Sequence, residues 1–507
     1  MENPPFPSGT TGGTVTTTDV LVIGSGFAGL GLAVRLQRDG VHDFLVLERA
    51  GDVGGTWRDN TYPGAACDIQ SHLYSYSFRP NPYWSRVYAT QPEILAYLRR
   101  TADEEGVRPR IRFGEEVLQA RWDPDGHVWD VRTGRGRYRA RALVSAAGHL
   151  SDPAYPDLPG LGSFAGEVFH SARWRHDVDL TGRRVGIVGT GASAVQIVPA
   201  LQPRVQHLTV FQRSAPYVVP RRDRAYTEAE KGMFARFPET ARSLRDELFW
   251  GNESRFPQRL GSPLFLQDVR RSALDHLAAQ VGDEDLRRRL TPDYEIGCKR
   301  ILISNDYYPA IAAEGTTLVT SGIDRVTPAG VVTGDGEPVE LDALVVATGF
   351  EAADLPVASR ISGRGGTLLS DHWRDGGRAY ACTTVPGFPN LFVMLGPNTG
   401  LGAGSIVFMV ETQISYIAGG LDVVLGEHVD VEPTVAAEAE FVADLHARSA
   451  GTVWTRGGCT SWYLHPRSGR LTTLWPDFMS QFRRDNGRFS REGYAVSAVP
   501  EGAAVGA

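Results

Sequence analysis

The sequence predicts an α/β chain built from two doubly wound units, and two observations predict it. An apolar run, a glycine-rich turn and a helical apolar pattern follow one another twice, in "DVLVIGSGFAGLGLAVRLQRDG" and in "RRVGIVGTGASAVQIVPAL". Each copy leads into a second apolar run that ends on a charged residue 24 positions past its first glycine, Glu48 in one and Arg213 in the other. Strand, glycines, helix and second strand in that order describe a Rossmann-like dinucleotide-binding unit rather than an isolated turn.

The first copy places Gly24, Gly26 and Gly29 in GxGxxG spacing. Such glycines allow a tight turn and let backbone N–H groups approach a pyrophosphate at the positive end of a helix. The second copy has Gly189, Gly191 and Ser193, with Ala194 in the third glycine position, where close helix–strand packing still permits it. The charged residues then separate the two units. Glu48 suits the ribose diol of a dinucleotide without a 2′-phosphate, whereas the guanidinium of Arg213 attracts that phosphate. The first unit is therefore expected to hold FAD and the second NADPH. Two such sites in one chain imply hydride transfer from nicotinamide to flavin.

At 507 residues, with 42% hydrophobic and 22% charged residues, the chain is expected to form more than one globular domain. Its formal net charge of -7 and scattered arginines give no reason to expect a nucleic-acid partner. Cys67, Cys298, Cys382 and Cys459 show no CxxC or metal-ligand spacing, so neither a disulfide scaffold nor a zinc site is expected, and a reducing cytoplasm fits. For the same reason no paired-cysteine site is expected to receive electrons from the flavin, which leaves molecular oxygen as the common acceptor. "MENPPFPSGTTGGTVTTT" lacks signal-peptide features, and "IVFMV" after Ser405 reads as too short to cross a bilayer, so no membrane partner is expected.

The stretch "FAGEVFHSARW" decides among oxygen-using flavoproteins. Phe164, Gly166, His170 and Trp174 fit FxGxxxHxxxW, which resembles the signature of type I Baeyer-Villiger monooxygenases. Gly55, Trp57, Tyr62, Pro63, Gly64 and Asp68 of "GGTWRDNTYPGAACD", and "VVATGF" from Val345, resemble further patterns of that family. The resemblance implies that FAD, reduced by NADPH, forms a C4a-peroxyflavin with O2 that attacks a ketone and yields an ester or lactone. Oxygenation of sulfur or nitrogen is the alternative reaction, and a non-catalytic flavoprotein that senses nicotinamide redox state is a further one.

The resemblance also assigns residues. Arg300 of "CKRIL" would face the flavin, Asp68 would hold that arginine, and Lys299 would reach the NADPH 2′-phosphate. Trp57 would sit at the flavin and Trp462 of "CTSWYL" over the nicotinamide, while His170 would serve as a hinge rather than as an acid or base. A helix starting near Ser405 would aim its positive end at the flavin ring. The expected organisation is a flexible tail at 1–17, an FAD domain at 18–150 and 381–507, and an NADPH domain at 151–380. Amphipathic patterns in "YTEAEKGMFARFPETARSLRDELFW" and "SALDHLAAQVGDEDLRRRL" predict a helical insertion at about 222–298 in the second domain.

Overall fold

The computed structural model describes residues 15–500. Both predicted units are present, each around its own sheet. In the first sheet Val15–Ile23 lies parallel to Phe44–Glu48 on one side and Arg137–Ser145 on the other. Val20, Leu21 and Val22 are wholly buried, as a strand covered on both faces requires. The sheet continues antiparallel through Val128–Thr133 and Val117–Asp123, and Leu391–Val393 returns to pair with Arg137–Ser145. The second sheet has five parallel strands in the order Thr316–Val319, His207–Phe211, Arg184–Val188, Ala343–Val346, Glu167–His170.

The glycines have a steric explanation. A Cβ on Gly29 would lie 1.9 Å from the Gly24 carbonyl oxygen, and one on Gly24, at φ +98°, would lie 2.7 Å from that of Ala146. No side chain fits between the helix Phe27–Arg38 and the strand ends beneath it. Five helices between Glu228 and Arg289 interrupt the second unit, the first opened by a capping box of Thr227 and Glu230.

Four expectations need correction. Val15 to Thr17 belong to the first strand, paired with Arg137 to Arg139, because the β-branched Val-Thr-Thr run extends the ladder; the rest of the expected tail lies outside the described residues. "IVFMV" does not stop short: it opens a 21-residue helix, Ile406–Gly426, long and apolar enough to cross a membrane, yet mostly buried against the first unit. The chain rejoins the first sheet at Ile361–Ser362, paired with Ala120 and Arg121, ahead of residue 381. Finally, Cys298 and Cys459 form a disulfide across 161 positions, with Cα atoms 6.2 Å apart. Spacing motifs register only neighbouring cysteines, so a pair made by folding escapes them.

Gly29→Ala is expected to lower stability by about 1–3 kcal/mol through overpacking. Gly232→Ala, in an open helical position, should raise it by about 0.5–1 kcal/mol. Thermal melts of the two variants should shift in opposite directions.

Candidate functional site

Both glycine signatures open onto one cavity of about 1020 Å³, larger than the usual range for a single small-molecule site. On its first side, Gly24, Gly26 and Glu48 line the wall, while Gly29 lies beneath the turn. Glu48 is buried at the end of its strand and accepts hydrogen bonds from Ser25 N (3.0 Å) and Ser25 Oγ (2.7 Å). Its other oxygen meets Arg58 Nη1 at 2.9 Å, so the carboxylate is fixed in place with its charge compensated. Trp57, on the short helix Thr56–Asp59, donates from Nε1 to the Tyr74 hydroxyl at 3.2 Å and sets its ring edge-on to that tyrosine.

The other side carries the second signature. Gly189, at φ +112°, leaves no room for a side chain, since a Cβ would sit 2.5 Å from the Ala347 carbonyl oxygen. Gly191 meets nothing within 4 Å, so its exposed backbone faces the cavity beside Ser193. Arg213 stands exposed at the rim, with no carboxylate paired to it among the described residues. Lys299 reaches in from the loop before Leu302, donates to Ser214 Oγ at 2.7 Å and lies 4.8 Å from the Tyr294 ring centre. Burial, reinforced by Arg213, pushes Lys299 below the usual lysine range. Two cations held together without a carboxylate between them make an anion site.

Arg300 and Asp68 meet between the two sides. Arg300 donates from Nε to Asp68 Oδ2 at 2.7 Å, and its Nη2 lies 2.6 Å from the same oxygen. Attraction to Asp68 raises Arg300 above its ordinary value, so the guanidinium stays charged. Each side chain remains about a third accessible, at 32% and 28%, and both line the cavity. Asp68 ends a loop seated on the second unit. Tyr62 donates to Gln196 Oε1 at 3.1 Å, and Gln196 Nε2 donates to the Ala66 carbonyl at 3.0 Å. Gly64, at φ +83°, lets that loop descend where a Cβ would lie 2.6 Å from the Gln196 carbonyl oxygen. Burial pushes the Tyr62 phenol up to about 12, so it remains a neutral donor.

Trp462 lines the rim, 42% exposed, with its ring 6.1 Å from that of His149. Ser405 precedes the helix Ile406–Gly426 and turns its hydroxyl away to donate to the Leu73 carbonyl at 3.1 Å, while Gly404 and Ile406 bring the helix's N-terminal end to the cavity wall. His170 is fully buried at the end of an edge strand, and its Nδ1 accepts from Ala172 N at 3.1 Å. Its ring packs tilted against Tyr155 and edge-on to Phe350, which line the cavity while His170 itself stands behind them. Trp174 packs edge-on against Phe169.

Comparison with known proteins fits this geometry. Residues 21–227 match the family described as pyridine nucleotide-disulphide oxidoreductase. A Baeyer-Villiger monooxygenase of Streptomyces coelicolor is 49% identical over 96% of this chain and 94% of its own length. The chain belongs to the Baeyer-Villiger monooxygenases. A second relative with that name, from Pseudomonas aeruginosa, is 45% identical over 95% of this chain and 92% of its own length. A solved cyclohexanone monooxygenase from Rhodococcus sp. Phi1, bound to NADP+, superposes with a TM-score of 0.85 at 31% identity, over 96% of this chain and all of that one.

Sequence reasoning missed several groups that this monooxygenase brings to the site. Arg58, beside Glu48, and Gln196, beneath the Asp68 loop, carry no motif signal of their own. Arg259 is buried behind the cavity and donates to the Gly402 carbonyl at 3.1 Å. The disulfide also removes the argument that no cysteine pair could accept electrons. Neither Cys298 nor Cys459 lines the cavity, however, so the pair is not set beside a dinucleotide.

Burial pushes His170 down to about 4. Because this folded value lies below that of a free histidine, the neutral ring's contribution is complete above about pH 6.5 and is lost as pH falls toward 4. His170→Gln should therefore show a shallower decline of melting temperature across that window than the native chain.

Proposed function

We infer that this flavin-dependent monooxygenase inserts one atom of O2 beside the carbonyl of a ketone, giving an ester or a lactone, with NADPH as the hydride donor. The observation that carries the reading is Arg300, locked by Asp68 inside a cavity that two dinucleotide cradles share. FAD reduced by NADPH supplies the activated oxygen when both are bound. The residues fit those groups: Gly24, Gly26 and Gly29 leave a backbone cradle next to the ribose-binding carboxylate of Glu48, and Trp57 flanks it. Gly189, Gly191 and Ser193 form the second cradle, and Arg213 with Lys299 supplies the charge a 2′-phosphate needs.

Arg300 is the group that meets developing negative charge on the substrate oxygen. It is held on one edge by Asp68, has the Tyr463 hydroxyl beside it and lines the cavity, so no reorientation is required as charge builds. Asp68 positions that guanidinium and moderates its charge. Trp462 at the rim excludes water from the reacting centre. The Rhodococcus relative is named for cyclohexanone, which makes cyclic ketones the first substrates to test.

The test is NADPH consumption under air with a panel of ketones and sulfides, with products identified by mass spectrometry. Esters or lactones are expected from the ketones; sulfoxides alone would reassign the enzyme to heteroatom oxygenation. Arg300→Ala should retain anaerobic flavin reduction by NADPH while ester formation is lost, and full ester formation in that variant would remove the assigned role. Arg213→Ala should raise KM for NADPH roughly 10- to 100-fold, the worth of a charged hydrogen bond, and leave KM for NADH nearly unchanged.

A further inference from the structure

The disulfide Cys298–Cys459 joins two segments that both reach the cavity. Cys298 directly precedes Lys299 and Arg300. Cys459 directly precedes Thr460, Ser461 and Trp462, all three of which line the cavity wall. The same segments are tied again by Glu295 N donating to the Gly457 carbonyl at 2.9 Å. Their approach is close enough that a Cβ on Gly457 would stand 2.6 Å from Cys298 Cβ. Beyond Trp462 the chain turns back to bury Tyr463, whose hydroxyl faces Arg300 and which also neighbours Arg259 and Asp68. Cys298 is wholly buried, whereas Cys459 is half-buried between exposed Gly458 and Thr460.

We propose that the Cys298–Cys459 disulfide is a positioning clamp for the reaction, holding the Trp462 wall against the loop that presents Lys299 and Arg300. It rests on the functional reading above. Its opening is a thiol exchange with a dithiol reductant. A thiolate of the reductant attacks Cys459 Sγ, and Cys298 Sγ leaves and takes a proton. The second reductant thiol then displaces Cys459 as a thiol, leaving two enzyme thiols and one reductant disulfide. With the clamp open, the wall keeps the Glu295–Gly457 hydrogen bond and the packing of Val453, Trp454 and Tyr463 on Ile296, but loses its covalent tie, and water gains access to the reacting centre. The other two cysteines, Cys67 and Cys382, are buried and unpaired, so mild reduction acts on the clamp alone.

The experiment compares the FAD-loaded enzyme as isolated, after dithiothreitol, and after reoxidation, together with Cys459→Ser. Thiol titration of the denatured oxidised protein should find two thiols; finding four would overturn the proposal. Hydrogen exchange of the 456–464 peptide should speed up on reduction, and unchanged exchange would also overturn it. Anaerobic flavin reduction by NADPH should stay near the native rate, while hydrogen peroxide released per NADPH consumed with a ketone rises roughly ten-fold. Reoxidation should reverse that rise in the native chain but not in Cys459→Ser. A fall in melting temperature with unchanged peroxide release would make the bond a structural staple and refute the clamp. Dithiothreitol on the native chain gives the answer even if the variant folds poorly. Absence of any oxygenated product from ketones or sulfides in either state would defeat the functional reading instead, and hydrogen exchange would still decide on the clamp.

Discussion

The ion pair between Asp68 and Arg300 is the constraint on which the site depends, because its two partners come from different units. Asp68 ends a loop of the first unit, and Arg300 arrives from the segment that leads into Leu302–Ile303 after the helical insertion. A pair that stays about a third accessible stabilises a fold by little. Its importance lies in orientation. Removing either partner would leave an uncompensated charge facing a confined cavity, a larger loss than the pair itself provides. The loop beneath Asp68 is accordingly built with care: Gly64 permits the descent, and Gln196 and Tyr62 fix its seat on the helix of the second signature.

Charge is distributed across the cavity by the same logic. On the side of the first signature Glu48 is balanced by Arg58, so that wall offers directed hydrogen bonds more than net charge. On the side of the second signature Arg213 has no carboxylate paired to it among the described residues, and burial together with Arg213 outweighs Asp293 in destabilising Lys299 as a cation. A chain with a formal charge of -7 thus gathers two cations, Arg213 and Lys299, at one rim of the cavity.

What the sequence disclosed follows from the range of each interaction. Gly24, Gly29 and Gly189 were legible because their spacing is a local pattern, although only Gly29 is crowded by a near neighbour, Gly24, whereas Gly24 and Gly189 are crowded by the distant carbonyls of Ala146 and Ala347. Glu48 and Arg213 were legible because a fixed offset carries them to the same place in each unit. Arg300 and Asp68, 232 positions apart, came into view only through family resemblance, since no local pattern links them. Gln196, Tyr463 and the disulfide were invisible because each owes its place to contacts between distant segments, and Arg58 because its pairing with Glu48 is made by a turn that no motif records. The helix Ile406–Gly426 was underestimated because its apolar positions are spread around several faces, as suits an element packed against the first sheet on one side and later segments on the other.

The late strand Leu391–Val393 has a consequence for how the chain is made. It pairs with Leu143 to Ser145 at the centre of the first sheet. All five strands of the second sheet lie between Glu167 and Val346. During synthesis the inserted unit therefore has its complete sheet while its host still lacks a strand, and the ribosome delivers the guest whole before the host can close.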